Sequence, residues 1–536
     1  MNQMSNPDDR AERSSVEPLP ASMNAGVFDI SDAEGVNDSE RVLMRLCRRS
    51  FLSLWSFANL HTDEDMRNGR GSAKEFADVL VVFGNDVVIF SDKHVPFQEN
   101  KPLDVAWKRW YKRAVEESVR QLHGAMNWVK RFPQRVFLDS KCQRPLPVAI
   151  PGPEIARFHL VAVTRGSFEA CSRHFPGSLG TLQIRTDIRG PEHGDNPFTV
   201  GLVAPGKAFV HVLDEFSLEV VLREMDTASD FISYLRDRES FLSSNIRVAA
   251  AGEEQLVASY LRNGNELGRS FLPPLADDRQ PDVVVIDESH FEGLMRRPEY
   301  VAKKRLDRPS YEWDKLIEQF IRLGDPTLVA PPGYAQENRE TEEALRVIAS
   351  ESRFRRRILI EALRGLFDKA RETNGRAARL FTTEQDSALV YVFLSVPKRD
   401  NETYEDYRRH RIAVLHAYCR CAKLKCPDGE TFVGIAFDHP NKDYPGSSED
   451  LFMYECAELD DETRAELERY RVELGIFADN AELKRMRADE YPSFATPSRD
   501  EQNAAANHTR RQRENTKRNR AKAAKASRKI NRKKRK

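Results

Sequence analysis

The chain has 536 residues, 84 of them basic, 84 acidic and 40% hydrophobic. That length suits two or three domains with substantial cores, and no apolar run reaches the roughly 18 residues of a membrane helix. The seven cysteines (Cys47, Cys142, Cys171, Cys419, Cys421, Cys426 and Cys456) are irregularly spaced, which argues against a disulfide framework and for reduced thiols in a cytoplasm.

Residues 1–36 are acidic and rich in Ser and Pro, with no apolar signal segment, so a disordered end and no export are expected. A helix is predicted from Asn37, which can cap it with Glu40 three residues on. Leu43, Leu46, Cys47, Ser50, Leu54 and Phe57 make its apolar face. Two apolar strands follow, opened by Asp78 and closed by Asp92-Lys93, with Gly84-Asn85-Asp86 between them. A long helix is predicted over 104–131, with Trp107, Tyr111, Ala114, Ser118, Gln121, Leu122, Ala125 and Val129 on one side, and a strand over 158–163.

Strands at 181–188, 199–203 and 208–213 and helices at 216–222 and 227–241 fill a mixed region of unassigned role, 166–330. The region 331–490 reads as charged helix (337–373), strands at 387–396 and 431–437 around a helix at 404–420, and a last helix over 460–489. Residues 491–536 form a tail expected to be disordered. From 510 to 536 it holds 15 basic residues and one acid, which leaves 69 basic against 83 acidic side chains in the rest of the chain. Such a cationic arm, ending in Arg532, Lys533, Lys534 and Arg535, binds polyanions through counterion release, although a solvated tail serves solubility equally well. The expected class is α/β to α+β, with a mixed central sheet flanked by helices in residues 37–165 and a second α+β region.

The hairpin carries the most chemistry. An Asn85-Asp86 turn sets Asp78 opposite Lys93, and a Gly84-Asn85-Asp86 loop sets it opposite Asp92. Either arrangement gathers hard oxygen ligands and an ammonium, a setting that suits Mg²⁺ or Mn²⁺. An acid, a hairpin, then acid-x-Lys resembles the PD-(D/E)xK nucleases of the restriction-endonuclease-like superfamily, in particular the nuclease-related (NERD) and Mrr-type branches. Those branches carry a Glu on the preceding helix, where Glu40 stands, and a Gln on the following helix, where Gln121 stands.

The resemblance covers residues 37–165. It implies a metal held by Asp78 and Asp92, Lys93 as the water-orienting or transition-state group, and Glu40 and Gln121 in support. Ser91 occupies the position two before Lys93 where the family has an acid. Asp92 fills that role only through a β-bulge, and Glu75 is another source. Without either, the fold binds nucleic acid and does not cut it. A structural hairpin with charged strand ends accounts for the same residues.

Lys108, Arg109, Lys112 and Arg113 sit beside Trp107 and Trp110, a pattern that contacts nucleic acid or simply packs. Gly201–Ala208 resembles a phosphate-binding loop and 283–288 a Walker B strand, so an ATPase or helicase is an alternative. Against it, Ala208 stands where Mg²⁺ needs a hydroxyl, and the following residues read as strand. Cys419, Cys421 and Cys426 near His416 have the wrong spacing for a zinc site, and packed thiols are the simpler account. The twelve histidines show no nucleophile partner at a known spacing. The expected function is a Mg²⁺- or Mn²⁺-dependent nuclease acting on nucleic acid, DNA before RNA, in the cytoplasm and off the membrane. A non-catalytic nucleic-acid-binding scaffold is the rival.

Overall fold

The five-stranded sheet that carries the hairpin runs in the order Ser56–Ala58, Val79–Phe83, Asp86–His94, Arg157–Arg165, Val210–Asp214. The second strand runs antiparallel to both its neighbours, and the last three strands are parallel. This computed structural model describes residues 28–67, 69, 71–263, 268–273, 281–324, 338–383, 386–441, 444, 448–477 and 488–492. The mixed α/β class expected from the sequence is the class observed. The basic tail, with Arg532, Lys533, Lys534 and Arg535, lies outside the described residues.

The first helix, Asp38–Trp55, begins as the sequence predicts: Asn37 Oδ1 accepts the Glu40 N–H at 3.0 Å. It does not reach Phe57. Leu52 takes φ 62° and ψ 175°, a left-handed value that a branched side chain adopts only under strain. The kink removes the helical acceptor of Ser53 N–H, which donates instead to Glu318 Oε2 at 3.1 Å. Trp55 Nε1 donates to Glu342 Oε1 at 2.8 Å. Phe57 is thereby delivered into the edge strand.

The two central strands are buried on both faces, which is why they read as continuous apolar runs. One face packs on the helix Glu117–Arg131, where Ser91 meets Ser118. On the other, Phe90 meets Phe231 of helix Ala228–Leu242, and Phe51 of the first helix stands edge-on to the same ring at 5.3 Å. The boundary drawn at 165 falls inside this sheet, because Val210–Asp214 is its fifth strand. Order also begins before Asn37: Phe28 is buried and Asp29 ion-pairs with Arg144 at 2.6 Å.

A four-stranded sheet runs Val283–Ile286, Arg247–Ala250, Gln183–Arg189, Thr199–Leu202. A second four-stranded sheet runs Ala377–Phe381, Leu389–Val396, Thr431–Asp438, Glu449–Glu455, and the helix Tyr404–Lys425 crosses between its two parallel strands. The charged helical region expected over 337–373 consists of two helices, Asn338–Ala349 and Arg353–Thr373, with Ser352 capping the second. Arg353 there is buried and forks onto Asp226 and Asp314 at 2.9 and 2.8 Å. Of the helix expected over 460–489, Asp461–Glu473 is helical, and 478–487 lie outside the described residues. The described residues 295–306 and 488–492 belong to a separate unit, within which Lys303 ion-pairs with Glu490 at 3.4 Å.

Candidate metal-binding active site

The hairpin turns at Gly84-Asn85, neither of the arrangements read from the sequence, because Phe83 pairs with Asp86 and leaves only two residues in the loop. Gly84 has φ 57° while Asn85 stays in the ordinary region, the pattern of a turn that demands Gly at its first central position. Continued in register, the position opposite Asp78 is Ser91, neither Lys93 nor Asp92. Asp78, Ser91 and Lys93 therefore share one face of the sheet.

Asp78 stands at the mouth of its strand and is 9% exposed. Its Oδ2 accepts the backbone N–H of Asp92 at 2.5 Å. Burial pushes its carboxyl up to about 7 against that hydrogen bond; the Glu40 charge adds to the rise and the Lys93 charge opposes it. Glu40 is buried in the first turn of its helix, where Oε2 accepts the Val36 N–H at 2.7 Å and Oε1 the Asn37 side-chain amide. Gly35, at φ 107°, lets the preceding chain close over it, since a Cβ there would sit 2.7 Å from Glu40 Cβ.

Asp92 is paired elsewhere. Arg165 Nε donates to its Oδ1 at 2.9 Å and Nη2 to its Oδ2 at 3.1 Å, on the face opposite Ser91. Its side chain is fully buried; that burial raises its carboxyl, the Arg165 fork draws it down, and the Glu40 charge adds to the rise. No bulge interrupts its strand's pairing from Asp86 to His94. Gln121 does come to the hairpin, with Oε1 3.3 Å from Ser91 Oγ. Glu75 is exposed on a separate two-stranded ladder with His61–Thr62.

The structure thus gathers Asp78, Glu40, Asp92, Lys93, Ser91 and Gln121 around one end of the sheet. It adds Arg165, whose only sequence signal is a cation ending an apolar strand. Among the described residues, Asp78, Asp92 and Glu40 do not bring their ligand atoms within 4.8 Å of one another as a trio. The one group that does is His159, His211 and Glu239, for which the sequence offered no signal beyond two histidines inside apolar strands.

Trp107 and Trp110 are core residues, stacked at 5.3 Å with their indole N–H groups on His193 and Val95 carbonyls. Lys108, Arg109, Lys112 and Arg113 project outward from the same helical stretch; Lys108 ion-pairs with Asp195 at 2.8 Å and Arg109 donates to Gln98.

Within 201–208, Gly201 and Leu202 end the strand Thr199–Leu202 and the rest is the connection to the strand Val210–Asp214, so no helix follows directly to meet phosphates. The strand Val283–Ile286 stands at the opposite edge of its sheet from Thr199–Leu202, so the ATPase pairing has no geometric basis. Cys419 and Cys421 are buried in the C-terminal core beside Leu415 and Phe432. No protein-family model, curated protein or solved structure matches this chain.

Proposed function

We propose that the protein is a Mg²⁺-dependent nuclease whose site is the Asp78 end of the five-stranded sheet. The observation that carries this reading is the Asp78 carboxylate, 9% exposed at the end of its strand, with Lys93 on its face of the sheet and the Glu40 charge acting on it. A buried carboxylate next to a second one favours a cation over an empty setting. The residues fit such an ion. Among the described residues, Asp78 Oδ1 accepts no hydrogen bond, while both Asp92 oxygens are held by Arg165 and both Glu40 oxygens by the Val36 N–H and the Asn37 amide, so Glu40 would turn to an ion only by giving up one of these caps. Asp92 therefore serves as a positioning residue whose N–H aims Asp78, and Lys93 offers its ammonium to a phosphate. A bound Mg²⁺ supplies charge neutralisation and an activated water.

The basic tail gives non-specific affinity for nucleic acid, with DNA the first substrate to test. The seven free cysteines accord with a reducing cytoplasm. No helix among the described residues is long and apolar enough to cross a membrane. A binding protein without cleavage is the second reading, favoured by Ser91 at the acid position and by the engagement of Asp92 with Arg165.

Purified protein incubated with supercoiled plasmid and with single-stranded RNA in Mg²⁺, Mn²⁺ or EDTA separates the two. Metal-dependent cleavage that falls about 100-fold or more in Asp78→Asn supports the nuclease. Binding without cleavage, abolished by removing residues 510–536, supports the second reading and overturns the first.

A further inference from the structure

At the other end of the same sheet, His159 and His211 lie on neighbouring parallel strands and share a face. The helix Ala228–Leu242 packs on that face and brings Glu239 to them. The ligand atoms of these three side chains lie within 4.8 Å of one another. Both imidazoles are almost wholly enclosed, His159 at 4% and His211 at 0% exposure. Each has one ring nitrogen without a hydrogen-bond partner, Nδ1 of His159 and Nε2 of His211. Two orphaned nitrogens in one buried spot are costly unless something binds them.

We propose that His159 Nδ1, His211 Nε2 and Glu239 form a binding site for a divalent transition ion of the zinc class. Two imidazoles and a carboxylate are the donor set such an ion prefers. The surroundings are arranged for it on the His159 side. Asp86 Oδ1 is 2.9 Å from His159 Nε2, which fixes the proton there and leaves the Nδ1 lone pair free; Arg157 holds the second Asp86 oxygen at 2.6 Å. A carboxylate behind a ligating histidine orients it and raises its basicity.

On the His211 side, Arg238 Nη1 stands 3.2 Å from Nδ1. Coordination through Nε2 moves the imidazole proton to Nδ1, so this one contact opens. Arg238 keeps its fork on Glu253 through Nε and Nη2 at 2.7 and 2.8 Å. Tetrahedral coordination also needs the ligand atoms to draw in to about 3.4 Å, a contraction within reach of rotamer adjustment. Because both histidines are enclosed, the ion acts as a clamp between two strands and a helix, separate from the Asp78 end.

The test uses the full chain, stripped with a chelator, dialysed and titrated with zinc chloride while metal content and melting temperature are followed. One zinc per chain is expected, with a rise in melting temperature of at least about 2 °C at saturation. Glu239→Ala and His211→Gln reduce bound zinc below one tenth, Asp86→Asn weakens binding about 10–100-fold, and Asp78→Asn leaves it unchanged. Absence of stoichiometric zinc in the parent protein overturns the proposal, as does full binding in Glu239→Ala. Cobalt substitution is a second measure that needs no variant: a tetrahedral visible spectrum supports the site, and an octahedral one overturns it.

Discussion

The Asp92 N–H donates to Asp78 Oδ2 at 2.5 Å, while the Asp92 carboxylate faces away and is forked by Arg165. Two acids that the sequence pairs as ligands are thus joined through the backbone of one and the side chain of the other. Alternation along the strand makes this unavoidable: Ser91 and Lys93 point to the Asp78 face, and Asp92 between them must point to the other.

Removing Arg165 leaves the buried Asp92 carboxylate without its counter-ion. Arg165→Ala is expected to cost about 3–5 kcal/mol in urea unfolding, and Arg165→Met combined with Asp92→Leu to recover most of that loss. A loss under about 1 kcal/mol for Arg165→Ala would show that the fork holds nothing in place.

Ser91 faces Asp78 across the hairpin and is 1% exposed. Ser91→Asp buries a further carboxylate beside Asp78, so the variant is expected to melt lower than the parent in EDTA. Mg²⁺ bridging the two carboxylates restores much of the difference, and the parent gains less from the same addition. Melting curves of both proteins in EDTA and in Mg²⁺ decide this, and an equal shift in the two would remove Asp78 from the list of metal ligands.

The hairpin was legible because two apolar runs flank Gly84-Asn85. Its register was not, because Gly84-Asn85-Asp86 offers several turns and only the left-handed backbone at Gly84 selects one. Helix capping and periodicity placed the helices that carry Glu40 and Gln121, while only the resemblance singled these two residues out. The engagement of Asp92 was not, since Arg165 lies 73 residues away and pairing across parallel strands leaves no local pattern. The end of the first helix was missed for a similar reason: its kink at Leu52 is sustained by Glu318 and Glu342, far along the chain. The fifth strand of the sheet, Val210–Asp214, was read as a strand but could not be assigned to this sheet without the long-range pairing to Arg157–Arg165.

Trp107 is fully buried, and its indole N–H donates to the His193 carbonyl at 2.6 Å. Trp107→Ala is expected to cost about 3–5 kcal/mol of stability. Single-stranded DNA affinity, measured below the unfolding transition, should be unchanged. An affinity loss with stability intact would return Trp107 to the role of a base-stacking platform.

Glu254 is 1% exposed, with Oε1 accepting from Thr181 Oγ1 and Gln255 Nε2 at 3.1 Å each. Its Oε2 has no hydrogen-bond partner. Burial pushes this carboxyl up to about 7, and the nearby Asp214 charge acts in the same direction. Between the ordinary glutamate value, about 4.3, and about 7, the folded chain holds a proton here that the unfolded chain has released. Stability from this group is therefore complete below the unfolded value and falls as pH rises toward 7, by a total on the order of 3 kcal/mol. Glu254→Gln keeps the shape and removes the ionisation. It should unfold at higher urea than the parent at pH 8 and flatten the slope between pH 5 and pH 7. Parallel stability curves for the two proteins across that range would mean that Glu254 ionises freely in the folded chain.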